Sequence, residues 1–111
     1  MAANTLVIRG SKGDLIKVDF LQVKQATFIL RALNHQLRQH ILKLLEKHGR
    51  LTVTEILIHL RIEQSMGSQH LAILRRAGIV KTEREGRLIY YSLNDVQISD
   101  IAHFVLNLNS K

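Results

Sequence analysis

The chain has 111 residues, 46% hydrophobic and 23% charged, which is ordinary globular composition and enough for one core. Sixteen Lys and Arg against nine Asp and Glu leave a formal charge of +7, so an anionic partner such as nucleic acid or an acidic membrane surface is expected. No cysteine is present, which excludes disulfides, thiolate metal sites, thiol nucleophiles and thiol redox switches. The opening MAANTLVIRG lacks a basic segment followed by a long apolar run, and no apolar stretch approaches the roughly 20 residues that span a bilayer. The expectation is a cytoplasmic protein with no membrane partner.

Taken in chain order, Thr5 to Arg9 and Asp14 to Val18 flank Gly10-Ser11-Lys12-Gly13, so residues 1–18 read as a short hairpin or an irregular arm. Asp19 can cap a first helix to about Leu33, whose Phe20, Val23, Ala26, Thr27, Leu30 and Leu33 recur at three and four. Asn34 interrupts, and a second helix runs to about His48 with Leu37, Ile41, Leu44 and Leu45 on one face and Gly49 beyond its end. Thr52 or Thr54 starts a short third helix carrying Ile56, Leu57 and Leu60, and Arg61 to Glu63 form a tight turn. A fourth helix spans about Gln64 to Ala77 and stops at Gly78. The period then changes: Ile79 to Arg84 and Leu88 to Leu93 read as two strands with Glu85-Gly86 between them. Asn94 or Asp95 can cap a last helix with Ile98, Ile101, Ala102, Val105 and Leu108 in one stripe.

Charge is uneven along this order. From Phe20 to Arg50 six bases face the single acid Glu46, and from Arg61 to Arg87 six bases face three acids. From Leu88 to Ser110 there is no Lys or Arg, only Asp95 and Asp100. The middle can meet phosphate while the end suits protein; a merely solvated basic face is the alternative.

A short helix, a tight turn and a second helix form the DNA-binding helix-turn-helix arrangement, and the following hairpin makes it a winged one. Helical angles turn Gly67, Leu71, Leu74 and Gly78 toward the core. They place Ser65, Gln69 and Arg76 on the far side, flanked by Gln64 and Ser68. That exposed end is polar and uncharged: Gln can bond adenine bidentately, and Ser suits base edges or phosphate. Arg75 and Arg76 suit phosphate. In the wing, Arg84 and Arg87 flank the Glu85-Gly86 turn and can reach a minor groove, with Arg87 favoured, while Glu83 and Glu85 can pair with these arginines in the free protein.

The run EQSMGSQHLAILRRAGIVKTEREGRLIYYSL resembles the core of the ArsR/SmtB family of bacterial winged-helix regulators. The resemblance rests on Gln64-Ser65, Ser68, His70-Leu71, Leu74, Gly78-Ile79-Val80, Glu85-Gly86-Arg87 and Tyr90-Tyr91-Ser92-Leu93, with Ala32-Leu33, Arg38 and Ile41-Leu42 upstream. It extends over about Phe20 to Asn107. Three places depart from the pattern: Glu63 stands where Ser is usual, Gly67 where a small aliphatic is usual, and His35-Gln36 where Asp-Pro is usual. Gly67 predicts a softer recognition helix or one packed closer to its neighbour.

The resemblance implies a homodimeric operator-binding repressor that dimerises through its first and last helices. Here those helices offer Phe20, Val23, Thr27 and Leu30, and Ile98, Ile101, Ala102, Val105 and Leu108. Two reading heads about one DNA turn apart, near 34 Å, predict a near-palindromic operator. The family's metal positions are not filled. Its third-helix thiols fall on Thr52 and Thr54, and of its last-helix ligands only Asp95 matches, with Gln97, Leu108 and Lys111 at the others. The six histidines contain no pair at i, i+3 or i, i+4, and His70 is expected to pack or to touch phosphate. No phosphate loop, catalytic triad or HExxH motif occurs.

The expected fold is mainly α with a β-hairpin wing, a winged helix-turn-helix between flanking dimerisation helices. It comprises the arm at 1–18 and a DNA-binding domain at 19–111, with a recognition helix at about 64–77, a wing at about 79–93 and a C-terminal helix at about 95–108. The expected function is non-enzymatic: double-stranded DNA binding through Gln64, Ser65, Ser68, Gln69, His70, Arg75, Arg76, Arg84 and Arg87. No metal or cofactor is expected, and an organic or protein effector is left open. The rival is a winged-helix protein-interaction module with only non-specific nucleic-acid affinity; an exposed aromatic at the fourth helix would favour it, and only Met66 is found there.

Overall fold

The computed structural model describes residues 4–110; the parts of these expectations that touch residues 1–3 and Lys111 lie outside the described residues. Strands β1 (Thr5–Arg9) and β2 (Leu15–Asp19) form an antiparallel hairpin with Leu6 opposite Val18 and Ile8 opposite Ile16. Asp19 ends it and caps α1 (Phe20–Leu33), its carboxylate accepting from Leu21 N at 2.9 Å. Helix α2 (Gln36–His48) is capped by His35, whose Nδ1 accepts from Leu37 N, and closed by Gly49 at φ 85°.

A three-residue strand, β3 (Arg50–Thr52), follows and was not expected. Three residues carry no readable alternation; β3 exists because Leu51 is buried opposite Tyr91 of a strand nearly forty positions away. Thr52 then caps α3 (Val53–Leu60) in a reciprocal box: Glu55 N donates to the Thr52 hydroxyl, and Thr52 N donates to the Glu55 carboxylate. Arg61 in the left-handed region (φ 55°) turns the chain into α4 (Gln64–Arg76).

Strands β4 (Val80–Glu85) and β5 (Leu88–Leu93) make the wing, and β5 lies between β3 and β4 in a three-stranded sheet. The turn is Gly86-Arg87 rather than Glu85-Gly86. Gly86 takes φ 65° at the first central position of a two-residue loop, which extends β4 through Glu85. Ile79 lies outside the strand, fully buried. Asn94 caps α5 (Asp95–Asn109) and also ties it to the end of α4, donating from Nδ2 to Gly78 O at 2.8 Å. Gln97 reinforces the tie by donating to Ala77 O.

The core draws Ala32, Ile41, Leu45, Leu51, Ile56, Leu71, Leu74, Ala77, Ile79 and Val80 from α1 through β4. Each fully buried Leu or Ile contributes about 1.5–3 kcal/mol. Helix α5 supplies none of the fully buried residues; Ile98 and Ile101 rest half-buried against the core. The fold is a winged helix-turn-helix, mainly α with a β-hairpin wing.

Candidate nucleic-acid interface

Helix α4 presents two chemically different sides. Gly67, Leu71 and Leu74 are buried, whereas Gln64, Ser65, Met66, Ser68, Gln69, Arg75 and Arg76 are exposed. The placement of the helix depends on Gly67. A Cβ there would fall on Cδ2 of Leu57 and come within 3.4 Å of Ile62 Cδ1, so α4 lies closer to α3 than a helix with a larger residue could. Close packing is thus the outcome of the glycine.

A groove of about 460 Å³ along α4 is lined by Ser68, Ala72, Arg75 and Arg76 together with Val53 and Tyr91. It brings three of the expected contact residues, Ser68, Arg75 and Arg76, onto one surface. Gln64, Ser65 and Gln69 continue that exposed side toward the helix start. Glu63 at the N-cap makes no side-chain cap bond, leaving the first-turn N–H groups without a protein acceptor from this side chain.

His70 stands apart from them. Its half-buried ring turns inward, where Nδ1 accepts from the Arg38 guanidinium at 3.0 Å and the ring lies 4.6 Å from that of His35. Burial pushes its pKa below the ordinary imidazole value, and the nearby His35 and Arg38 push the same way. Arg38 is itself buried, donating from Nε to Ala32 O at 2.7 Å and from Nη2 to Arg31 O at 3.2 Å. One guanidinium therefore joins the end of α1 to the middle of α4. Of the two roles expected for His70, this structure displays packing.

The wing arginines are not paired as expected. Glu83 and Glu85, two apart in β4, share one face, and Arg84 between them points to the other. Both glutamates meet Arg50 of β3 instead: Glu85 accepts two bonds at 2.6 and 3.1 Å, and Glu83 lies 3.7 Å away. The same guanidinium sits 3.9 Å over the Tyr90 ring. The hydrogen bond to Arg50 holds the Glu85 carboxyl below its ordinary range. Arg84 donates only to Gly86 O at 3.5 Å, and among the described residues neither Arg84 nor Arg87 has a carboxylate within salt-bridge distance.

Sequence spacing disclosed no histidine pair, yet two exist between different elements: His35 with His70, and His48 with His59 at 4.8 Å between rings. Among the described residues no group of three or more His, Asp or Glu is placed to hold a metal ion. The Thr52 hydroxyl, at one family ligand position, is occupied as a helix cap.

The terminal helices carry the remaining expected residues. On α1, Phe20 and Val23 are exposed and Thr27 and Leu30 half-buried; on α5, Ala102, Val105 and Leu108 are exposed. Ile98 and Ile101 face the chain's own core. Sequence reading missed Phe104, which is 45% exposed and lines a notch with Val23 and Leu30 of α1. Its stripe lies one helical step from the one named, a signal the sequence did contain.

Comparison with known proteins matches residues 35–82 to the family model described as bacterial regulatory protein, arsR family. The chain is 34% identical over 85 residues to the transcriptional repressor PagR of Bacillus anthracis, spanning 77% of this chain and 85% of PagR. It is 36% identical over 83 residues to the transcriptional repressor SdpR of Bacillus subtilis, spanning 75% and 91%. Among solved structures, HlyU from Vibrio cholerae superposes with a TM-score of 0.63 at 31% identity, covering 81% of this chain and 97% of HlyU. The matched segment contains α2, α3, α4 and the start of the wing, the elements that build the surface described above. This chain belongs to the ArsR family of bacterial regulatory proteins and is a DNA-binding transcriptional regulator, not an enzyme.

Proposed function

We propose that the protein acts as a homodimeric repressor that occupies a near-palindromic operator and is not controlled through the family's usual metal positions. The observation that carries the reading is the exposed side of α4, uncharged and hydrogen-bonding from Gln64 to Gln69 and basic at Arg75 and Arg76. Gln64, Ser65, Ser68 and Gln69 read base edges in the major groove. Arg75 and Arg76 anchor to phosphate, and Arg84 and Arg87, free of carboxylates, serve the wing's contact with backbone or minor groove. His70, bound to Arg38, acts as the support that orients α4. Exposed Phe20, Val23, Ala102, Val105 and Leu108, with Thr27 and Leu30, offer the face on which two copies meet; Ile98 and Ile101 back it from the core side. Repression follows from the named repressors among its relatives, although HlyU is named an activator.

Binding to the DNA flanking its own gene, against scrambled competitor, across a salt series and with zinc or chelator added, tests this reading. Competitor-resistant binding indifferent to zinc and chelator is the expected result. Affinity lost equally for all sequences as salt rises would mean phosphate attraction alone and would favour a protein-interaction module. Within that assay, Gln69→Ala should alter base preference, whereas Arg76→Ala should weaken all sequences alike and lower the salt slope by about one.

A further inference from the structure

Among the described residues, the β1–β2 hairpin has an apolar face that stands half open to solvent, with only Val18 at its base half-buried beside α1. Cross-strand register sets Leu6 opposite Val18 and Ile8 opposite Ile16, so all four side chains share one face and every one is apolar. The other face is mixed, pairing Thr5 with Asp19, Val7 with Lys17 and Arg9 with Leu15. Leu6, Ile8 and Ile16 are 46%, 49% and 42% exposed. The hairpin is joined to the body at its base, where Phe20 N donates to Asn4 O at 2.8 Å, and it extends outward from there. The molecule measures 55 Å along its long axis against 29 and 25 Å, and its radius of gyration is 17.7 Å where a compact chain of this length has about 13 Å. A two-stranded hairpin is marginal in water unless its apolar face is packed against something.

We propose that this hairpin is an arm whose Leu6, Ile8, Ile16 and Val18 face seats on a second copy of the chain. The inference rests on the homodimer reading above and extends it. Three observations select a second copy as the occupant. Fourteen of the eighteen large hydrophobic side chains exposed among the described residues lie in the hairpin, α1 and α5, which concentrates exposed apolar surface on these three elements. The three elements form one surface, because a notch of about 390 Å³ is lined by Val18 of the hairpin, Val23 and Leu30 of α1, and Phe104 and Leu108 of α5. A two-fold axis brings the same patch of both copies together, so an apolar arm beside an apolar notch offers each copy something to insert and something to receive. Net charge is opposite in sign: the hairpin bears Arg9, Lys12 and Lys17 against Asp14 and Asp19, a balance of +1, while the chain from Leu88 to Ser110 has Asp95 and Asp100 and no base. A DNA backbone could satisfy those cations but offers nothing apolar to cover the other face.

Sedimentation equilibrium of the full chain and of the double variant Ile8→Glu/Ile16→Glu tests the arm. Both side chains are already half exposed, so the fold of each subunit should persist, checked by an unchanged far-ultraviolet circular dichroism spectrum. The dimer dissociation constant should rise about tenfold or more, which is about 1.4 kcal/mol or more. Val7→Glu on the mixed face should change it by less than about threefold. The β1 and β2 amides should also gain hydrogen-exchange protection as protein concentration rises through that constant. A parent chain that sediments as a monomer at every concentration would overturn the dimer reading and the arm with it. A parent dimer unaffected by the double variant would overturn the arm alone. A variant that dimerises normally but binds DNA more weakly at fixed salt would make the hairpin a DNA contact and likewise overturn the proposal.

Discussion

Arg38 and His70 meet at 3.0 Å across the boundary between α2 and α4, and the same guanidinium bonds the carbonyls of Ala32 and Arg31 at the end of α1. The guanidinium has only donors, so Nδ1 of His70 must be the acceptor and therefore unprotonated. Replacing Arg38 by Met strands two carbonyls and an imidazole at a part-buried junction. We expect about 2–4 kcal/mol of lost stability by urea denaturation, with weaker operator binding in proportion to the loosening of α4.

The same contact sets a pH dependence. His70 titrates below its ordinary value in the folded chain, so the unfolded state binds more protons in the interval between the two values. Stability from this group is fully present above the unfolded value, about 6.5, and is lost as pH falls through the lower folded one. Thermal midpoints measured from pH 7.5 to 5 should fall, and His70→Gln, which cannot be protonated, should flatten the slope.

Glu63 occupies the cap of α4 without making the cap bond. Glu63→Ser should supply it and raise stability by about 0.5–2 kcal/mol, while removing a carboxylate from the helix end proposed to face DNA. Denaturation midpoint and DNA affinity should both increase. A rise in affinity without a rise in midpoint would assign the whole effect to charge.

At Gly67, helix propensity and space oppose each other. An Ala gains about 1 kcal/mol of propensity but forces Leu57 to move, and because the obstacle is the end of a partly exposed flexible side chain, net change should stay within about 1 kcal/mol. Gly67→Val has the same clash plus a branched Cβ and should cost about 1–3 kcal/mol. Calorimetry on the two variants separates these outcomes.

In the wing, Glu85→Gln should release Arg50 from its exposed ion pair. Stability should move by less than about 1 kcal/mol, as for other surface pairs. DNA affinity should rise and its salt dependence steepen by up to about one phosphate equivalent, measured by anisotropy across a salt series.

The helices and their ends were legible because their causes are local. Asp19 caps within three residues, as do Thr52 and Asn94, each one of two residues the sequence offered; Gly49 supplies the left-handed stop, and apolar spacing at three and four marks each buried stripe. The His35 cap is the instructive miss, since a ring nitrogen replaced the usual Asp and its position read only as a departure from the family pattern.

The alternating periods pointed to a winged helix-turn-helix with a polar, basic-flanked α4, and the resemblance of its motifs to the ArsR/SmtB family marked that family's metal positions as unfilled. Tertiary structure alone decided which charges are free. Arg50, unremarkable in sequence, reaches thirty-five positions to Glu85, and among the described residues Arg84 and Arg87 have no carboxylate within salt-bridge distance. It also decided that β3 exists, that His70 turns inward to Arg38, and that His48 meets His59. The reason is common to all four. Each depends on the distance between elements remote in sequence, which is set by how Leu51, Ile56, Leu71 and Leu74 pack into one core, and periodicity within a single element carries no information about its neighbour's distance or register.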